Sequence, residues 1–173
     1  MNIENFEEKF LTEITQAATD FNLTPKTAML GLLSIFGNTR HELPHSNTIY
    51  GLLRPNNFPN SQTYGDSFLA LIGNATGKSI AEEHIITIER EKLTGNHRFI
   101  DINIVTENFD IIIENKIDAG DQMAQLTDYL LDAENTYPDK TVLVIYLTLT
   151  GYEPSEVSIS RKEVEKLKKE EWK

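Results

Sequence analysis

At 173 residues the chain is long enough for one compact domain with a sizeable core and too short for two comfortable ones. Its 39% hydrophobic and 25% charged residues are ordinary globular composition and exclude a disordered tail. Against 27 Asp and Glu stand only 16 Lys and Arg, a formal net charge of -11. That balance argues against a protein that merely coats nucleic acid, whose affinity would come from neutralising phosphates.

Residues 2–20 have helical spacing, with Ile3, Phe6, Phe10, Leu11, Ile14 and Ala17 on one face. Leu23-Thr24-Pro25 reads as a cap with proline at the first helical position, opening a second helix to about Phe36. His41 to Gln62, rich in Pro, Asn and Ser, reads as loop around a short helical piece near Thr48–Leu53. Gly65 to Ile72 reads as a third helix, closed by the Gly73-Asn74 and Thr76-Gly77 breakers.

From Glu83 the period changes. His84–Arg90, Arg98–Thr106 and Phe109–Ile117 read as three strands whose short connections make them antiparallel neighbours. A helix is expected over Asp121–Glu134, with Asp121 as N-cap and Met123, Leu126 and Leu130 on the buried face. The nearly continuous apolar run Thr141–Leu149 then reads as a strand covered on both faces, parallel to the third because a helix separates them. Arg161–Lys173 is a charged tail, expected to be helical with Val164 and Leu167 as its apolar contacts. The expected organisation is one domain over 1–173, with a helical part to residue 80, a core over 81–150 and a tail from 151.

The absence of cysteine rules out a disulfide framework or a thiolate zinc site and fits a reducing cytoplasm, the expected location. No apolar run approaches the roughly 18 residues a membrane span needs, and the acidic Met1–Phe10 is unlike a secretory signal.

The hairpin between the second and third strands places chemistry. With Glu107-Asn108 as a two-residue turn, paired positions sum to 215 and Asp101 falls opposite Glu114. Like charges at directly paired positions, about 4.5–5.5 Å apart, are destabilising. A shared divalent ion explains them, because carboxylate oxygens at that separation suit Mg²⁺ or Mn²⁺. An enzyme of this kind tolerates an acidic balance, since the ion brings local positive charge. Lys116 leaves the strand on the same face as Glu114 and is placed to orient a water or to stabilise charge on a phosphate. The plainer alternative is a set of surface salt bridges on a half-exposed sheet.

Asp101 together with Phe109-Asp110-Ile111-Ile112-Ile113-Glu114-Asn115-Lys116-Ile117-Asp118-Ala119-Gly120-Asp121-Gln122 resembles the signature of the PD-(D/E)XK nuclease superfamily. It is most similar to a bacterial branch with an IENKI-AGDQ-QL-Y segment. The naming proline is replaced by Ile100. The resemblance implies an α/β restriction-endonuclease-like core, a four-stranded mixed sheet flanked by helices. It also implies a Mg²⁺-dependent deoxyribonuclease, with Mn²⁺ able to substitute and DNA as partner. Asp101 and Glu114 become metal ligands, joined by the backbone carbonyl of Asn115, with Lys116 as the catalytic lysine.

Gln125 and Tyr129, four apart on one helix face, resemble the Gln-x-x-x-Tyr element beside the site of exonuclease-like members; an uninvolved polar face is the alternative. The superfamily's acid on a helix before the first strand is assigned to Asp66, with Glu82 and Glu83 competing. Asp66 is equally suited to capping its own helix.

The four histidines, His41, His45, His84 and His97, lack metal-ligand spacing, and Gly31–Gly37 lacks the Gly-Lys-Ser/Thr of a phosphate loop. Ser34 and Ser67 have no partnered His and acid. Lys78, Arg90, Lys92 and Arg98 offer a modest phosphate-facing patch, with solvation as the plainer role. Similar chains continue past the position of Lys173 with another helix, so a second subunit, a homodimer, is one source of further substrate surface. The second functional reading is an inactive nuclease-fold module for protein or nucleic-acid interaction.

Overall fold

The computed structural model describes residues 41–59 and 61–168, which belong to a unit beginning at His41. The helices expected over 2–20 and 25–36, with Ser34 and Gly31–Gly37, lie outside the described residues. The elements run α1 (Glu42–Leu53), α2 (Ser61–Thr76), a 3₁₀ turn (Ser79–Glu82), β1 (Thr87–Leu93), β2 (Phe99–Val105), β3 (Phe109–Lys116), α3 (Gln125–Thr136), β4 (Thr141–Thr148) and α4 (Arg161–Lys168).

The strands form one sheet in the order β1-β2-β3-β4, antiparallel except for β4, which lies parallel to β3. This is the expected four-stranded mixed sheet. Every residue of β3 is buried because helices cover both of its faces. Ile111 and Ile113 join Ile102, Ile104, Leu53, Leu69 and Ile72 on the side of α1 and α2. Ile112 joins Leu126, Leu130, Ala133 and Val142 on the side of α3 and α4. Period-two alternation thus feeds two cores from one strand, each fully buried isoleucine contributing about 1.5–3 kcal/mol.

Two helices are longer than the sequence suggests. Instead of a loop around Thr48–Leu53, α1 starts at Glu42, and Pro44 is tolerated because it lies in the first turn. The helix stops at Leu53, just ahead of Arg54-Pro55, as the restriction before proline requires. The second helix does not close at Gly73. It continues to Thr76 because Gly73 packs where a Cβ would lie 3.2 Å from both the Ala81 methyl and the Lys78 carbonyl. Gly77, at φ 71°, ends it.

The crossover helix is shorter than expected. Asp121 does not cap it; its carboxylate instead takes the Tyr146 hydroxyl and the Ser155 amide, each at 2.8 Å. Met123 precedes the helix and is exposed. The first-turn amides of α3 are satisfied from the later loop, Leu126 by Ser158 Oγ at 3.3 Å and Thr127 by the Ser158 carbonyl at 3.4 Å. The charged tail therefore follows a buried anchor, Ser158-Ile159, and Val164 and Leu167 do pack against the core. Of β4 only Val142 is fully buried, the rest being mostly half-buried because β4 lies at an edge of the described sheet.

The α3 side of the sheet also buries Asp110 and Asn103, whose Nδ2 donates to Asp110 Oδ1 at 2.5 Å. Burial pushes the Asp110 carboxyl up, against the Asn103 hydrogen bond and the Lys92 charge; Asp132 adds to the rise and Lys140 opposes it. A carboxyl raised on folding contributes stability below its unfolded value, about 3.9, and loses it as the pH climbs through the native value. Asp110→Asn is therefore expected to raise Tm relative to the unsubstituted protein by a margin that widens from about pH 4 towards neutrality. A margin flat in pH, or narrowing, contradicts this origin.

Candidate active site

The β2–β3 hairpin has the expected register, from Val105↔Asp110 to Ile102↔Ile113, every pair summing to 215. The ladder stops one rung short of Asp101. On the other side of β2 the β1 pairing also skips this position, passing from Arg90↔Ile102 to Lys92↔Ile100. The skipped β1 residue, Glu91, has φ 51°, a left-handed conformation that costs a non-glycine residue energy. Released from both ladders, Asp101 takes the backbone N–H of Asn115 on Oδ2 at 2.8 Å. It still reaches the Glu-x-Lys segment, by side chain to backbone.

Glu114 is buried on the α3 side, and a buried charge must be paired and hydrogen-bonded. Its Oε1 accepts from Lys116 Nζ and from Gln125 Nε2, both at 2.8 Å, and its Oε2 lies 3.1 Å from the Tyr129 hydroxyl. Tyr129 is 2.6 Å from the Phe99 carbonyl and accepts from Gln125 Nε2 at 2.9 Å. Its single proton serves one acceptor at a time. Gln125 and Tyr129 thus face the site from α3 as their spacing suggests.

Burial raises the Asp101 carboxyl above its ordinary value despite the Asn115 amide and the Lys116 charge. Burial likewise raises Glu114, and the nearby Asp101 charge adds to it. Burial works against the Lys116 ammonium, but the hydrogen bond and charge of Glu114, with Glu42 and Asp101 behind them, outweigh it and raise Lys116. Three carboxyl groups, those of Glu114, Glu42 and Asp101, thus bear on one lysine.

A family model of the PD-(D/E)XK nuclease superfamily matches residues 30–173. The chain belongs to the PD-(D/E)XK nuclease superfamily. No curated protein and no solved structure gives a significant match. Members of this superfamily are usually nucleases and generally use divalent metal ions.

Asp101, Glu114, Asn115, Lys116, Gln125 and Tyr129 come together. Asp66 does not join them: its exposed carboxylate pairs with Gln62 Nε2 at 2.8 Å and His84 Nδ1 at 3.0 Å. Glu83 holds the hairpin turn through the Asn108 side chain at 2.6 Å and its backbone amide at 3.1 Å. Glu82 sits exposed in the 3₁₀ turn.

The helix acid that does reach the site is Glu42. Its Oε1 accepts from the amides of Ile117 at 2.9 Å and Ala119 at 3.3 Å, and its carbonyl accepts the Asn115 side chain at 3.0 Å. Its charge acts on both Asp101 and Lys116. The available signal was its position ahead of Pro44, which fits the first turn of a helix.

Among the described residues, no group of three or more His, Asp or Glu side chains is arranged to hold a metal ion. The carboxylates lean on protein donors instead. Tyr129→Phe removes the one proton shared between the Phe99 carbonyl and Glu114 Oε2 and is expected to cost about 1–3 kcal/mol, measured by urea unfolding. A loss below about 0.5 kcal/mol shows that neither acceptor depends on the hydroxyl.

Proposed function

We infer that this protein is a Mg²⁺-dependent deoxyribonuclease that hydrolyses DNA phosphodiester bonds by attack of water. The observation that carries this reading is the convergence of Asp101 and Glu114, both raised by burial, on the backbone and ammonium of the Asn115-Lys116 segment. Carboxylate and carbonyl oxygens are the donors a hard divalent ion prefers, and three carboxyl groups bearing on one lysine are a setting that suits such an ion. Asp101, Glu114 and the Asn115 carbonyl would hold Mg²⁺ or, in its place, Mn²⁺. Glu42 takes over the role expected of Asp66.

A bound divalent ion supplies positive charge to a phosphoryl oxygen and makes a water more acidic. Lys116 holds its ammonium beside Glu114, where it stabilises charge developing on the phosphate. Gln125 and Tyr129 fix the orientation of the Glu114 carboxylate, so the pocket needs little reorganisation during the reaction.

The alternative is an inactive nuclease-fold module for binding protein or nucleic acid. It is favoured by the protein donors already on each carboxylate and by the net charge of -11. Cleavage of several DNA substrates with Mg²⁺ and Mn²⁺, together with calorimetric titration of Mn²⁺, separates the two. The nuclease reading expects wild-type cleavage, a loss of about 100-fold or more in Lys116→Ala, and Mn²⁺ binding weakened in Asp101→Asn. Equal cleavage by wild type and Lys116→Ala overturns the lysine's role; no Mn²⁺ binding and no cleavage by the wild type favour the module.

A further inference from the structure

Arg98 stands at the start of β2, three residues before Asp101, where an arginine beside a nuclease site would ordinarily be read as a phosphate contact. Its guanidinium is already committed. Nε donates to Asp128 Oδ2, one terminal nitrogen to Gln122 Oε1 at 3.0 Å and the other to the Met123 carbonyl at 2.5 Å. Arg98 and Asp128 are both partly buried, 24% and 23% exposed, which strengthens a charge-assisted bond. The three acceptors straddle the start of α3, on both sides of Ala124, which sits at φ 54° with no side-chain cap.

The next residue continues the clasp. The Phe99 carbonyl accepts from Tyr129, whose helix neighbour Gln125 holds Glu114. Arg98, just ahead of β2, and Phe99, its first residue, therefore grip the first turns of α3, and the same turns orient the Glu114 carboxylate. A planar fork with several donors is needed for this, and a point-charge ammonium cannot reproduce it.

We propose that Arg98 is a positioning residue of the nuclease: it locks the start of α3 so that Gln125 and Tyr129 present themselves to Glu114, and it does not bind substrate phosphate. The proposal rests on the nuclease reading above.

Steady-state cleavage of a DNA oligonucleotide by wild type, Arg98→Ala, Arg98→Lys and Asp128→Asn, with Mg²⁺ and over a range of salt concentrations, tests it. Assays are run well below each variant's melting temperature. Arg98→Ala is expected to lower kcat by about tenfold or more with KM within about twofold and an unchanged dependence of KM on salt. Asp128→Asn should lower kcat in the same direction, and Arg98→Lys should not restore it.

A raised KM with kcat retained, a salt slope shallower by about one, or rescue by lysine makes Arg98 a phosphate contact and overturns the proposal. So does wild-type kcat in Asp128→Asn. Hydrogen exchange reads the clasp without activity: Arg98→Ala should lose protection at Asp128 and Tyr129 while the β3 amides keep theirs. Unchanged exchange at α3 overturns the proposal even if the wild type proves inactive. Lost protection in Arg98→Ala alongside an inactive wild type upholds the clasp and puts the failure on the nuclease reading.

Discussion

The constraint on which the rest depends is the burial of the Glu114 carboxylate in the middle of the protein. An isolated carboxylate there would cost many kcal/mol or take up a proton. The fold answers with three donors from two elements, Lys116 on the same strand and Gln125 and Tyr129 on the crossover helix. Those bonds settle how α3 lies against β3. Turned over, Gln125 would set its amide oxygen against the Glu114 carboxylate, so its amide direction is determined by the carboxylate it serves.

On the other side of the segment the same logic works through Asn115. Its backbone N–H holds Asp101, and its side chain reaches the Glu42 carbonyl and Ser46 Oγ at 3.0 and 3.3 Å. Glu42 closes the loop by accepting the amides just beyond β3. Glu114 and Asn115 are therefore consecutive residues that between them bond to three other elements, α3, β2 and α1. The irregular rung at Glu91 belongs to this arrangement. A regular ladder would have paired the Asp101 backbone across both neighbours, whereas the gap lets its side chain turn to the Asn115 amide.

Much of this was legible in the sequence. The strands announce themselves by β-branched runs, and a two-residue turn determines the register from Val105↔Asp110 to Ile102↔Ile113 by counting, while the release of Asp101 from the ladder does not follow from it. Gln125 and Tyr129 follow from helical spacing. What the sequence hid was governed by tertiary contacts. Pro44 and the Asn- and Ser-rich stretch disguise α1, and with it Glu42, because the helix owes its existence to packing on β3 and not to propensity. Gly73 looks like a terminator until Ala81 is seen against it. Asp121 has the right position for a cap, yet two stronger partners lie in a later segment. Asp66 and Glu42 are both acids on helices ahead of β1, and nothing local separates them; only the packing of α1 against the end of β3 does.

The charge balance takes on a different meaning once the partners are known. Among the described residues, Lys116, Lys92, Arg98, Arg90 and Arg161 each pair with a carboxylate, and Lys140 donates to the Thr106 and Glu107 carbonyls. Two cations of the patch that looked phosphate-facing, Lys92 and Arg98, tie β1 and the start of β2 to α3. At a net charge of -11 the long-range field of the chain opposes a polyanion. Under the proposed function the attraction would be local, concentrated where Asp101, Glu114 and the Asn115 carbonyl would hold a divalent ion. On the proposed reading, such a nuclease would bind its substrate through the same charge that makes a water more acidic, which would tie affinity to catalysis.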